Sequence, residues 1–168
     1  MARTRLRDFQ HDLMRRLQEA QHSDAPSARL GVQVGNEYWV IRLDEAGEVI
    51  PVPPVAVVPL ARNWFRGLVN IRGNLYSVVD LSAFQGGEIT QQTPDSRLLL
   101  VAERFGMNAA LLVNRMLGLR NVQLFEAKEV ENGREWETAR YVDGDGRVWR
   151  EMAMSGLVYH SDFLQSGL

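Results

Sequence analysis

The fold is decided by the stretch Gly67-Leu68-Val69-Asn70-Ile71-Arg72-Gly73-Asn74-Leu75-Tyr76-Ser77-Val78-Val79-Asp80-Leu81. Val69 and Ile71 share one face of a predicted half-buried strand, because successive side chains of a strand point to opposite faces. Arg72 lies in the polar phase of this strand and is followed by Gly73, whose missing side chain permits a turn or a close approach. A plain hairpin with a surface arginine is the alternative to a binding site here.

Period-two patterns extend in both directions from this stretch. Residues 30–34 and 39–43 alternate around a turn at 35–37 and predict a hairpin. Further strands are predicted at 55–60 (an edge strand between prolines), 75–81, 97–103, 109–119 and on both sides of a turn at 143–146. Residues 125–138 are compatible with helix or loop, and 154–164 with a short helix. Many short strands separated by turns favour a mainly β, barrel-like fold.

The N-terminal residues follow a different pattern. Over residues 4–21, apolar residues recur at steps of three and four and predict an amphipathic helix, and 22–27 read as a linker. The apolar positions are Leu6, Phe9, Leu13, Leu17 and Ala20. This helix has three interpretations: it packs on its own domain, docks on a partner or a second copy, or lies on a membrane surface.

Composition excludes several classes of function. The chain has 168 residues, 45% of them hydrophobic, which suffices for one domain with its own core. It has no cysteine, a net charge of −2 and a pI of about 5.9, so neither thiolate chemistry nor a global nucleic-acid-binding charge is expected. The sequence shows no apolar run of membrane-spanning length and no secretory signal pattern, so direct membrane insertion is not expected.

No catalytic or metal-binding pattern stands out. The three histidines, His11, His22 and His160, lack partners at metal-ligand spacing. The stretch Asp143-Gly144-Asp145-Gly146 resembles the start of a calcium loop, but Glu151 comes too early to complete it, and a β-turn explains the glycines. We therefore expect no enzyme activity, no cofactor and no metal.

One motif resembles a known family. Residues 67–73, followed seven residues later by Asp80-Leu81, are similar to the signature of the CheW-like domain, a family that couples chemoreceptors to histidine kinases in bacterial signalling arrays. The resemblance extends to Glu48 and to the stretch 111–119, and covers about residues 29 to 165. Within it, Asn114 stands where the family usually has aspartate, which leaves any charge-dependent role there open.

The resemblance implies a mainly β fold of two intertwined five-stranded β-barrel-like lobes that share a core, with the N-terminal helix as an addition. Residues 1–27 would then be the helix and linker, and 28–168 the CheW-like domain. Lobe one would comprise about 38–92, and lobe two 30–35 plus 97–165.

The resemblance also implies a function. The chain would be a cytoplasmic, non-catalytic adaptor at the inner face of the membrane, joining a chemoreceptor's cytoplasmic tip to the regulatory domain of a CheA-like histidine kinase. An isolated regulatory domain of such a kinase is the alternative. The receptor-binding groove carried over from the family consists of Ala46, Glu48, Gly67, Arg72, Leu98, Leu99 and Leu119, with Glu48 paired to Arg72. The structural signature comprises Asn70, Gly73, Asp80 and Leu81.

The two ends of the chain point to one branch of the family. The N-terminal helix and the stretch from Val148 to Leu164 are similar to the PilI-type branch, which serves chemotaxis-like systems controlling type IV pili and twitching motility. Self-association through the N-terminal helix is left open by the sequence.

Overall fold

The structure is a computed structural model that describes Gln10 and residues 28–164. The predicted N-terminal helix and its linker therefore lie outside the described residues, apart from Gln10. The described elements, in chain order, are β1 (Ala28–Val34), β2 (Glu37–Arg42), β3 (Ala46–Pro51), β4 (Phe65–Ile71), β5 (Asn74–Asp80), α1 (Leu81–Phe84), β6 (Arg97–Val101), β7 (Ala109–Val113), β8 (Arg115–Asn121), β9 (Glu126–Lys128), β10 (Glu137–Val142), β11 (Val148–Met152), α2 (Met154–Val158) and α3 (Ser161–Leu164).

The strands form two sheets, as expected for a mainly β fold. One sheet has six strands in the order β8-β1-β2-β11-β10-β9, and the other has five in the order β3-β6-β7-β5-β4. The expectation of two five-stranded, barrel-like lobes is therefore corrected, since one sheet is larger and neither closes by a continuous ladder of described strands. The sixth strand is the three-residue β9, which pairs with β10.

The division of strands between the lobes also differs from the expected one. Strand β2, expected in lobe one, lies in the six-stranded sheet, because the tight turn after β1 pairs it with β1 and its other edge pairs in parallel with β11. Strands β6 and β7, expected in lobe two, belong to the five-stranded sheet, where β6 pairs with β3 and β7 pairs with β5. Each sheet is therefore built from strands that are not contiguous in the chain.

The single strand predicted over 109–119 is in fact two strands in different sheets. Asn114 lies at the break and bonds to the β1–β2 hairpin. Its backbone N–H donates to the carbonyl of Gln33 at 2.9 Å, and its Oδ1 accepts from the N–H of Gly35 at 2.7 Å. Either an asparagine or an aspartate oxygen can accept this bond, so the contact itself does not depend on charge.

Among the described residues, three hydrophobic clusters form the core. The largest draws on both sheets and includes Val32, Trp39 and Leu111, whereas a second lies within the five-stranded sheet and a third, around Trp149, within the six-stranded sheet. The residues predicted to be buried from the strand patterns, namely Val69, Ile71, Val78, Leu112 and Val113, are all buried, which confirms the register of these strands.

The predicted edge strand at 55–60 is wrong. Residues 52–60, which we call the strap, follow β3 in the segment that leads to β4. Within the strap only Ala56 forms a bridge, with Leu68, through N–H to carbonyl bonds of 2.8 and 2.9 Å. Prolines at 53, 54 and 59 lack the N–H that a longer ladder requires. The predicted C-terminal helix is present as α2 and α3, and the hairpin around 143–146 is present as β10 and β11.

Candidate functional site

Arg72 lies in the turn between β4 and β5. The sequence placed it on the strand, but β4 ends at Ile71, which pairs with Asn74, so Arg72 and Gly73 form a two-residue hairpin turn. Both have positive φ, 51° and 87°, as the tightest right-twisted hairpins require. The side chain of Asn70 supports the turn, since its Oδ1 accepts from the N–H of Gly73 at 2.9 Å.

Arg72 and Glu48 form the expected pair. The guanidinium donates two parallel hydrogen bonds, from Nη1 to Oε1 at 3.1 Å and from Nη2 to Oε2. Both side chains face solvent, with 67% and 46% of their surface exposed. The hydrogen bond from Arg72 lowers the pKa of Glu48, and Glu48 in turn raises the pKa of Arg72. The pair is therefore fully charged at neutral pH and holds a defined planar geometry.

This pair connects the two edges of the five-stranded sheet. Glu48 belongs to β3, and Arg72 follows β4, and these strands stand at opposite ends of the strand order. A contact between them means that the sheet curls until its edges approach. The strap crosses the same gap and bonds to β4 through Ala56. The seam between β3 and β4 is thus bridged by the ion pair and by the strap.

Gly67 is required by the approach of the strap. Its φ is 134°, and a Cβ at this position would lie 2.1 Å from the carbonyl oxygen of Ala56. Ala46, half-buried, also lies on β3 and pairs with Val101 of β6. Leu119 is 40% exposed but lies on β8 of the other sheet.

Leu98 and Leu99 do not line an open surface. Both are fully buried, and their side chains pack in two different clusters, Leu98 within the five-stranded sheet and Leu99 in the core that both sheets share. Strand β6 is therefore covered on both faces. Of the residues carried over from the family, the structure brings Glu48 and Arg72 into direct contact and places these two leucines beneath the surface.

The signature residue Asp80 is a buried structural hub. Its carboxylate accepts from the N–H and the hydroxyl of Thr90, both at 2.7 Å, from Nη1 of Arg66 at 3.3 Å and from the N–H of Ala83 at 3.3 Å. These bonds cap α1 and fix the loop that follows it. The adjacent Leu81 is fully buried. Sequence reasoning missed Arg66 and Thr90, because nothing local marks residues that are 14 and 10 positions away in the chain.

A second network of charges also escaped sequence reasoning. The carboxylate of Glu137 is fully buried and accepts from Arg140 at 2.8 and 2.9 Å and from Arg150 at 3.2 Å. Arg150 also pairs with Glu37 at 3.0 Å, and Arg134 pairs with Glu37 at 3.2 Å. The hydrogen bond to Glu137 raises the pKa of Arg140. The network joins β2, β10 and β11 and serves the fold.

Both carboxylate oxygens of Asp143 accept hydrogen bonds from its own hairpin. Its Oδ1 accepts from the N–H groups of Asp145 and Arg147, and its Oδ2 accepts from the indole N–H of Trp149, all at 2.9 Å. The bond from Trp149 is the main reason that the pKa of Asp143 is lowered. Residues 28–164 contain no cluster of three or more potential metal ligands, and no helix among them is long and apolar enough to cross a membrane.

Comparison with known proteins agrees with this architecture. The family model of the CheW-like domain matches residues 29–162. The chain is 26% identical over 138 residues to protein PilI of Pseudomonas aeruginosa, covering 80% of this chain and 77% of PilI. It is also 26% identical over 93 residues to the chemotaxis protein CheW of Thermotoga maritima, covering 55% of this chain and 60% of that protein.

Among solved structures, the fold is similar to that of the scaffolding protein TtCheW from Thermoanaerobacter tengcongensis. The TM-score is 0.64 at 18% identity, and the match covers 76% of this chain and 89% of the other. The resemblance expected from the motif around Arg72 is thereby confirmed, and the chain belongs to the CheW-like domain family.

Proposed function

We propose that this chain is a non-catalytic adaptor that couples the cytoplasmic tip of a methyl-accepting chemoreceptor to the regulatory domain of a CheA-like histidine kinase. The CheW-like family to which it belongs is one of scaffold proteins. Its similarity to PilI over most of both chains supports a pathway that controls twitching motility. The adaptor would act in the cytoplasm, at the inner face of the membrane beside receptor arrays.

The observation that carries this proposal is the exposed Glu48–Arg72 pair at the seam of the five-stranded sheet. A solvent-exposed ion pair contributes little to stability, because water screens the charges and the side chains lose freedom. Arg72 also occupies a positive-φ position that glycine or asparagine would fill with less strain. Because the fold does not need an arginine at this position, we explain Arg72 by a role in binding.

The geometry of the pair suits that role. Because both hydrogen bonds are made at once, the guanidinium plane is fixed relative to β3, and the turn between β4 and β5 is held against the opposite edge. We infer that the receptor tip contacts the surface that this arrangement shapes, together with exposed parts of Ala46 and Leu119. Gly67, Leu98 and Leu99 would support this surface from beneath, by admitting the strap and filling the core.

The test is to titrate Arg72→Ala and Arg72→Lys separately against a receptor tip fragment and a kinase regulatory domain. We expect Arg72→Ala to weaken receptor binding by about tenfold, the equivalent of roughly 1.4 kcal/mol, with its melting temperature unchanged. Arg72→Lys should recover only part of the loss, since an ammonium group cannot reproduce the planar fork. Binding of the kinase domain should persist in both variants.

Arg104→Ala is the matched control, because Arg104 is also an exposed arginine paired with a carboxylate, that of Asp44 at 3.5 Å. It should bind both partners like the unmodified protein. Normal receptor binding by Arg72→Ala, or its unfolding, would remove the basis for the proposal.

A further inference from the structure

The strap exposes two large apolar side chains. Val57 is 81% exposed and Leu60 is fully exposed, although Val55 and Val58 in the same segment are half-buried. Leaving such side chains in water forgoes the favourable free energy of their burial. The two lie three positions apart on one segment, and clustered exposed apolar side chains are a feature of binding surfaces.

Leu60 is also strained. Its φ is 62°, in the left-handed region that bulky aliphatic residues rarely adopt. Glycine or asparagine would occupy this turn more easily. The fold therefore gains nothing from leucine at position 60, neither through burial nor through backbone conformation. Strain of this kind persists at sites where the side chain serves a function.

A cleft opens beside Val57. It has a volume of about 440 Å³ and is lined by Val52, Val55, Val57 and Arg66, with Val78 and Leu112 of the sheet beneath. Its walls are mostly aliphatic, so it suits an apolar side chain. Arg66 is held at the cleft by its bonds to Asp80 and to the carbonyl of Thr90.

One positive charge close to the strap in sequence, that of Arg62, has no partner among the described residues. Between Glu48 and Asp80 the sequence contains three arginines and no acidic residue. Arg66 and Arg72 are paired with these two flanking carboxylates, whereas the exposed guanidinium of Arg62 has no hydrogen bond or ion pair with any residue in the described part of the chain. A ligand that fits here therefore brings its own carboxylate next to an apolar side chain.

We propose that the strap, its cleft and Arg62 form a docking surface for an acidic amphipathic helix of a partner protein. The strap's prolines lack N–H donors, so a partner strand cannot extend a ladder along it, and recognition passes through side chains instead. Apolar residues of the helix contact Val57 and Leu60 and enter the cleft, and its acidic residues pair with Arg62. None of these residues belongs to the Glu48–Arg72 pair, and the proposal does not rest on the adaptor function.

The experiment titrates the isotope-labelled full chain with a synthetic 21-residue helical peptide that carries leucine along one stripe and glutamate elsewhere. A peptide with lysine in place of glutamate is its control. We expect the glutamate peptide to shift the resonances of Val57, Leu60 and Arg62 and the lysine peptide to leave them unmoved. The Arg62→Glu variant should bind the glutamate peptide at least tenfold more weakly.

Leu60→Gly separates binding from folding. It removes the side chain and relieves the positive φ, so the melting temperature should stay equal or rise while the peptide affinity falls at least tenfold. Leu75→Ser is the matched control, because Leu75 is 59% exposed on β5 outside the strap, and it should bind normally. Unchanged affinity in Leu60→Gly, equal binding of both peptides, or resonance shifts away from the strap would overturn the proposal. The proposal would also be overturned if the chain bound phosphatidylglycerol vesicles through Leu60 and did not bind the glutamate peptide. That result would identify a membrane as the partner of this surface.

Discussion

At the scale of single residues, the alternation of side chains along β4 and β5 decides which of them enter the core. Val69, Ile71 and Val78 lie in the core because they occupy the apolar phase of their strands. The same pattern could not predict that Leu98 and Leu99 are both buried. Since β6 is covered on both faces, its apolar run has no polar phase, and a sequence cannot distinguish such a run from one that lines a groove.

Truncation of a buried residue of β4 tests this register. Ile71→Ala removes aliphatic volume from a closed cluster, and we expect the free energy of unfolding to fall by about 2–5 kcal/mol. Chemical denaturation measures the change. Leu75→Ala, on the exposed face of β5, should cost much less, and an equal loss in both variants would mean that the strand faces are assigned wrongly.

The lowered pKa of Asp143 predicts that the stability of the fold depends on pH. Its folded pKa lies below the ordinary aspartate value, so its stabilising effect is fully present above the unfolded pKa of about 3.9 and is lost as the pH falls through the folded pKa. Asp143→Asn should therefore lower the melting temperature at pH 7. This difference from the unmodified protein should shrink below about pH 4. A difference that stays constant down to pH 2 would show that the carboxylate charge is not involved.

At the scale of elements, the turn signals located most of the strands but failed at the strap and at Asn114. Prolines interrupt the apolar run at 55–60, so the strap bonds to β4 at Ala56 alone. Asn114 separates β7 from β8 through bonds to Gln33 and Gly35. These partners are distant in sequence, and no local pattern in 109–119 signals a change of sheet.

Gly67 and Gly73 test how closely the strap lies on β4. Both have positive φ, but only at Gly67 would a Cβ collide with another segment, 2.1 Å from the carbonyl of Ala56, whereas nothing lies within 4 Å at Gly73. We expect Gly67→Ala to displace the strap and to lower the melting temperature more than Gly73→Ala, which suffers backbone strain alone. Hydrogen exchange at the amides of Ala56 and Leu68 should accelerate in the first variant only. Equal effects of the two substitutions would contradict the observed packing.

At the scale of the whole molecule, the sequence identified the family but not how the chain is divided between the sheets. The motif around Arg72, with Glu48 and Asp80 at the right spacing, was sufficient for the family, and the match over residues 29–162 confirms it. The pairing of β11 with β2 joins residues more than 100 positions apart. Such contacts depend on the packing of the whole chain, and the spacing of local motifs carries no information about it.

The N-terminal segment supplies a prediction for the whole chain. The linker at 22–27 separates the helical pattern from the first strand, so removal of residues 1–27 should leave a cooperatively folded β domain. Thermal unfolding monitored by circular dichroism would show a single transition. A broad, non-cooperative transition would mean that the segment contributes to the core.

The proposed function requires that Glu48 and Arg72 act as one unit that shapes the surface offered to the receptor. The most direct test is a charge exchange, comparing receptor affinity in Glu48→Arg, Arg72→Glu and the double variant that carries both changes. Each single reversal places like charges together across the seam and should weaken receptor binding at least tenfold, whereas the double variant restores an ion pair and should recover most of the affinity. If the double variant binds as poorly as the single ones while remaining folded, the claim that the pair acts as a unit is contradicted.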